Sequence, residues 1–291
     1  MRGKRRKERM ILKNATLHIG NGEVFQGDMR IADGKIVEVG KNINGDESRS
    51  LNGKHVFPGF IDSGNFLGAQ DMAFFAKDYN ENSNPVTPYL DIWHSIDPDE
   101  LSLQELYKAG ITSMLVTPGN EGILGGTCTV VKTKGKNINK ITVKRDAAMK
   151  ASMTSEVIRV FSGKGSPQTP MALIAMLKTA LQTTEDANDY RSQRTKEVMD
   201  AVREGRMPIL VACETAPEME RFLEATKEYT KMKIIFTLSY EADRCADAIK
   251  KRGAAVVLGD TSRNATHLVH RMDFAKLMNC LLYTSDAADE L

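Results

Sequence analysis

Residues 55–64, HVFPGFIDSG, divide this 291-residue chain into two rhythms. Upstream lie short stretches in which apolar and polar residues alternate: ILKNATLHI at 11–19, MRIADGKIVEV at 29–39 and a run around Leu51. Alternation with period two puts every second side chain on one face of a half-buried strand. Asn21-Gly22 and Asp33-Gly34 fall between these runs, and such dipeptides supply the left-handed positions of a type I′ hairpin turn. Residues 11–56 therefore read as a small antiparallel β unit.

Downstream the pattern becomes strand, helix, strand, helix. Asp97 is placed to cap a helix, with Pro98 at its first position, Glu100 closing a capping box and Gly110 as the stop. Leu103, Leu106 and Tyr107 share a face of that helix, and the β-rich run ITSMLVTP (111–118) follows. Later, ILVAC (209–213) precedes a helix with Thr215 and Glu218 as a capping box and Met219, Phe222, Leu223 and Thr226 on one side. IIFTL (234–238) precedes a helix from Glu241, with Ala242, Cys245, Ala246 and Ile249 facing inward and Gly253 ending it behind Lys250, Lys251 and Arg252. AAVVLGD (254–260) completes the set. Strands apolar throughout that alternate with helices imply a parallel sheet covered on both faces, as a barrel or an open doubly wound sheet. Residues 183–196, TTEDANDYRSQRTK, are polar and aperiodic and read as an exposed loop or a frayed helix end.

Composition excludes several classes. With 41% hydrophobic and 27% charged residues the chain is neither disordered nor a disulfide scaffold. Cys128, Cys213, Cys245 and Cys280 show no CxxC spacing, so neither a zinc knuckle nor a redox pair is expected, and a reducing, cytoplasmic setting is. No apolar run approaches the roughly 18 residues of a spanning helix, so no membrane partner is expected. Residues 1–10, MRGKRRKERM, hold six bases and one acid. With no apolar segment behind them they are not a secretory signal; a solvated basic tail ahead of a start at Met10 is favoured over a nucleic-acid arm. Trp93 stands alone and basic residues are not interleaved with aromatics, so no nucleic-acid platform is expected. GKGS (163–166) lacks the remaining glycine, lysine and hydroxyl positions of a phosphate-binding loop.

The hairpin ADGKIVEVG followed by VFPGFIDSG, then NPVTPYLDIWHSIDPDE and AGITSMLVTPGNEGILGGTCTVVKTKG, resembles the metal-dependent amidohydrolase superfamily in its imidazolonepropionase-like branch. The likeness runs from Ile11 to Asp260. It implies an α/β fold: a small N-terminal β-sandwich portion over 11–56 and a (β/α)₈ TIM-like barrel from 57 to 279, with the first barrel strand at PGFID. Residues 280–290, CLLYTSDAADE, resemble the translation of an adapter used in DNA library preparation. A native sequence ending near Asn279, a non-native tail over 280–291 and a C-terminally truncated barrel are therefore expected. Such a barrel exposes parallel strand edges and is expected to fold poorly alone. Residues 11–279 carry 34 bases and 34 acids, so the net +2 of the whole chain belongs to its ends.

The resemblance implies zinc or another divalent metal and hydrolysis of non-peptide C–N bonds in cyclic amides or amidines. This chain departs from it at the ligands. The family's His-x-His pair falls on Gly64 and Phe66, and the later histidines on Ala212–Glu214 and Leu238–Tyr240. A catalytic zinc needs about three protein ligands, and His18, His55, His94, His267 and His270 match none of the positions. No metal and no cofactor are therefore expected. Lys150 falls where some relatives carry a carbamylated lysine, a role without meaning once the imidazoles are gone.

Weak catalytic candidates remain in Asp62, Glu214 and Asp260. Asp62 reads as a functional carboxylate or, preferably, as a brace at the strand end, and Glu214 as a lone oxygen ligand or a helix N-terminal acid. Cys213 reads as a buried small residue rather than a nucleophile, and the spacing of His267 and His270 as chance. The glycines at 119, 122, 125 and 126 are expected to shape a loop above the barrel. The expected function is an amidohydrolase-like pseudoenzyme that binds a small molecule in the barrel mouth, or supports an active homologue or a second copy of itself. The alternative is an active hydrolase with Asp62, Glu214 and Asp260 as oxygen ligands for a hard cation.

Overall fold

The computed structural model describes residues 9–45, 47–70, 77–182 and 189–259. Asp260, His267, His270, Cys280 and the 280–291 tail lie outside the described residues. The chain divides into two compact units, one through Phe60 and one from Ile61.

The first unit holds β1 (Arg9–His18), β2 (Val24–Ala32), β3 (Lys35–Gly40), β4 (Ser48–Ser50) and β5 (His55–Val56) in one sheet. The β2–β3 hairpin turns at Asp33-Gly34, whose φ values of 51° and 76° are both left-handed, as a type I′ turn requires. At the other expected turn only Gly22 is left-handed, so that connection is not type I′. The antiparallel expectation also needs correcting. β1 pairs antiparallel with β2, but β4 and β5 both run parallel to β1. Ala15, Leu17 and Met29 form the small core beneath.

The second unit is mixed α/β. Its elements are β6 (Phe60–Asn65), α1 (Leu101–Lys108), β7 (Ile111–Val116), β8 (Leu124–Lys132), α2 (Ile138–Ile141), β9 (Thr142–Ser152), α3 (Ser155–Phe161), α4 (Pro170–Gln182), α5 (Tyr190–Arg203), β10 (Ile209–Cys213), α6 (Ala216–Ala225), β11 (Ile234–Leu238), α7 (Ala246–Arg252) and β12 (Ala255–Leu258). The seven strands form one sheet in the order β12-β11-β10-β9-β8-β7-β6. From β9 to β12 every pairing is parallel, as the apolar late strands imply. β8, however, is antiparallel to both β7 and β9. Among the described residues the simple strand–helix alternation of a (β/α)₈ barrel is thus broken by a three-strand meander.

The sheet curls on itself. A Cβ placed on Gly64 of β6 would lie 3.7 Å from Leu210 of β10, although three strands separate the two in the sheet. Leu210, Cys128 and Ala148, with Leu115 and Ile235 beside them, fill the concave side. The convex side carries the larger core, where Ile209, Val211, Cys213, Ile234 and Phe236 pack under α3–α6. Alternation along β10 and β11 sends neighbouring residues to opposite layers.

Local signals place most helices. Glu218 accepts hydrogen bonds from the backbone N–H groups of Glu214 (2.7 Å) and Thr215 (3.1 Å), completing the expected capping box of α6. Gly253 ends α7 with φ 67°. Helix α1 starts later than expected. Glu100 caps it, accepting from the Ser102 N–H at 3.4 Å, while Asp97 spends its carboxylate on the Asp99 N–H in the preceding turn. Leu103 is buried in α1, but Tyr107 is exposed. Of the segment read as an exposed loop or a frayed helix end, residues 183–188 lie outside the described residues and 190–196 form the start of α5, which Asp189 caps by accepting from Ser192 (3.1 Å).

Phe222 of α6 is fully buried and meets Phe236 of β11 edge-on, with ring centroids 5.9 Å apart. Truncating an aromatic ring in such a packed layer costs about 3–5 kcal/mol. Phe222→Ala is therefore expected to lower the denaturant midpoint without changing the slope, measured by urea unfolding.

Candidate functional site

In α/β sheets of this kind, chemistry collects where parallel strands end and the chain enters the loops. At the end of β6, Asp62 accepts the Gly64 N–H at 2.9 Å through one carboxylate oxygen and the Asn65 side-chain amide at 2.5 Å through the other. Asn65 in turn accepts the Leu67 N–H at 2.7 Å, and its carbonyl takes the Thr117 N–H at 2.9 Å, locking this end to that of β7. Asp62 braces a turn with both oxygens.

A Cβ on Gly64 would make ordinary contacts with methyl groups of Thr117, Leu210 and Leu115 at 3.4–4.0 Å, and Gly64 itself is exposed. Phe66 stacks on Tyr79 at 4.2 Å. At the end of β10, Ala212 pairs laterally with Ser152 and Thr237, while Cys213 faces the helical layer. Burial holds the Cys213 thiol well above its ordinary pKa, consistent with a packing role. Glu214 is half-buried and begins the turn into α6. At the end of β11, Leu238 (φ 67°) and Ser239 (φ 43°) are both left-handed, a costly conformation for a leucine. Ser239 is fully buried and its hydroxyl has no hydrogen-bond partner. Among the described residues no three His, Cys, Asp or Glu side chains converge as metal ligands would. His18 and His55 instead bond to each other at 2.8 Å in the first unit, and His94 sits in the loop before α1.

Sequence reasoning missed the surroundings of Lys150. In the sheet Lys150 pairs with Leu210, which pairs with Ile235, which pairs with Ala255. Residues in register share a face, so the lysine lies in the row that lines the concave side. It is 4% exposed, and among the described residues it is the only buried lysine or arginine. Its Nζ donates one long hydrogen bond, 3.5 Å, to the Ala151 carbonyl. Burial lowers its pKa to about 8, slightly opposed by the thiols of Cys128 and Cys213. Burial pushes the Cys128 thiol the other way, to about 12.

A cleft of about 850 Å³ is lined by residues 77–81, 89–92 and 94–97 together with Pro118, Gly125 and Tyr190. Its wall is tied down from behind. Glu121 is buried and accepts from Lys77 (3.1 Å) and Asn82 (2.6 Å), and the Lys77 bond raises that lysine's pKa. Arg145 pairs with Asp91 and stacks on Trp93, whose indole donates to Thr142 at 2.9 Å. Of the four glycines expected in a loop, Gly119 and Gly122 lie between β7 and β8, whereas Gly125 and Gly126 fall within β8, and the missing side chains allow the close approach of this wall. A Cβ on Gly126, at φ 113°, would fall 2.7 Å from the Leu90 carbonyl, and one on Gly119 would overlap Asn80.

No family model matches the chain, and no curated protein does. Among solved structures, an amidohydrolase from Thermotoga maritima MSB8 superposes with a TM-score of 0.84 at 22% identity, over 93% of this chain and 76% of that one. The two chains share a fold. An uncharacterized protein (TM-score 0.42, 13% identity, 94% and 72% covered) and an uncharacterized metal-dependent hydrolase from Pyrococcus horikoshii OT3 (0.19, 14%, 87% and 52%) superpose too poorly to add to this.

The lowered pKa of Lys150 carries a stability consequence. Between pH 8 and 10.5 the unfolded chain holds a proton on this lysine that the folded chain lacks, so stability rises with pH across that window. Below pH 8 the buried charge costs on the order of 3 kcal/mol. Lys150→Met, which keeps the volume and drops the charge, is expected to be more stable at pH 7 and to lose the rise, read from urea unfolding at pH 7 and pH 10.

Proposed function

We propose that this protein is an amidohydrolase-like barrel protein that has exchanged metal hydrolysis for ligand binding or for support of a catalytic homologue. The observation that carries this reading is the chemistry of the strand ends, where Gly64, Phe66 and Ala212 stand at the positions that would need imidazoles. Zinc or a related cation, which the fold family implies, does not fit the residues at these strand ends. Gly64, Phe66 and Ala212 carry no donor atom, and Cys213 is turned into the helical layer. The family activity, hydrolysis of cyclic amide or amidine C–N bonds, is accordingly not assigned to these residues.

The carboxylate alternative is less well supported. Both oxygens of Asp62 are engaged by its own turn, and Glu214 joins no cluster of potential ligands among the described residues. The cleft has room for a small molecule, since pockets of roughly 300–1,000 Å³ hold such ligands. No helix among the described residues is long and apolar enough to cross a membrane. Cys128, Cys213 and Cys245 are free and buried, in keeping with a cytoplasmic setting.

Elemental analysis of the purified chain tests this. Less than a tenth of an equivalent (~0.1) of any divalent metal is expected, because among the described residues the strand ends do not gather the roughly three ligands such an ion requires. One equivalent of metal, whose chelation abolishes hydrolysis of a cyclic amide, would refute the proposal.

A further inference from the structure

We propose that the cleft lined by Tyr79, Tyr89 and Tyr190 binds a linear aliphatic polyamine, with its ammonium groups on Asp78, Glu81 and Asp97 and its methylenes against the rings. This names a ligand class for the small-molecule reading above and rests on it. The space itself is the first observation. The cleft of about 850 Å³ adjoins a second cavity of about 390 Å³, and Asp78, Ser95 and Asp97 line both. Two cavities that share a wall make a trough, which suits a linear ligand better than a compact one. Every residue that lines it belongs to the second unit.

Charge sets the sign of the ligand. Asp78, Glu81, Asp91 and Asp97 line the larger cavity against a single lysine, and Asp99 and Glu100 line the smaller one. The cations of this wall are already engaged. Lys77 bonds buried Glu121 at 3.1 Å, Arg145 pairs with Asp91, and Lys136 lies 3.5 Å from Asp99. Among the described residues no lysine or arginine pairs with Asp78, Glu81 or Asp97, so a small anion is repelled. The acids do not converge as metal ligands would. Carboxylates alone would only gather counter-ions; the rings are the second, independent feature. The Arg191 guanidinium lies 4.6 Å from the centroid of Tyr89, so this wall already packs a cation against an aromatic face. Tyr79 is held by its stack on Phe66, and Tyr190, 72% exposed, leaves ring surface for a ligand. Leu90, Ile92 and Ile96 add hydrocarbon to the same lining. A polyamine matches both halves of this chemistry: its ammonium groups stay charged up to about pH 10, and short methylene runs separate them.

Isothermal titration calorimetry of the full chain with spermidine at pH 7 and low salt provides the test. Saturable binding of one equivalent is expected, tighter than that of putrescine and weakened by added salt, with no binding of butanediol or succinate. Asp78→Asn and Asp97→Asn should each weaken spermidine about three- to fivefold, the yield of a half-exposed ion pair, and together about tenfold or more. Asparagine keeps the acceptor that Asp97 offers to the Asp99 N–H, so the turn is preserved. Glu228→Gln, an exposed acid outside the cleft, should change nothing. The comparison of spermidine with butanediol on the wild-type chain decides the matter even if a variant fails to fold. No saturable binding, or a loss in Glu228→Gln equal to that in the cleft variants, overturns the proposal. So does binding of trilysine without spermidine, which would assign the cleft to a basic peptide. Binding of succinate or butanediol in place of spermidine leaves the ligand-binding reading standing and strikes only the polyamine, whereas one equivalent of metal required for hydrolysis strikes that reading itself.

Discussion

Leu210 is the residue on which the curled sheet closes. From β10 it reaches across the concave side toward Gly64 of β6, and Cys128, Ala148, Leu115 and Ile235 fill in around it. Hydrocarbon in this space lowers the local dielectric, and that explains the chemistry of everything lining it. Burial raises the pKa of Cys128 and lowers that of Lys150, disfavouring the charged form of each.

The fold withstands such an interior because its stability is generated elsewhere. The large core lies on the opposite face, between β9–β11 and the helices α3–α6, with Phe161, Leu177, Met199, Phe222 and Phe236 at its centre. A fold shared at 22% identity with a structural relative rests on such a core rather than on particular residues.

Features that depend on near neighbours were legible in the sequence. The Asp33-Gly34 turn, the Thr215–Glu218 capping box, Gly253 as a stop and the late parallel strands all rest on spacings of a few residues, and the structure has them. Features set by distant partners were not. Nothing local announces that β8 runs against both neighbours, or that Glu100 rather than Asp97 caps α1 because Asp97 is engaged by Asp99. The start of α5 was hidden by its polarity, since only Val198, Met199, Ala201 and Val202 of that helix are buried. Within the site, PGFID fixed the first strand end, whereas Lys150 acquires its character from Leu210, 60 positions away in the chain, and leaves no local mark.

The reversal of β8 has a kinetic side. β7, β8 and β9 are consecutive in the chain and adjacent in the sheet, so their pairing closes short loops. Bringing Gly64 and Leu210 together closes one of well over a hundred residues. Short closures cost less chain entropy and form sooner. The meander that interrupts the parallel sheet is therefore the part of the second unit with the lowest contact order, and it can present a ready edge, β9, for the parallel strands to join one after another.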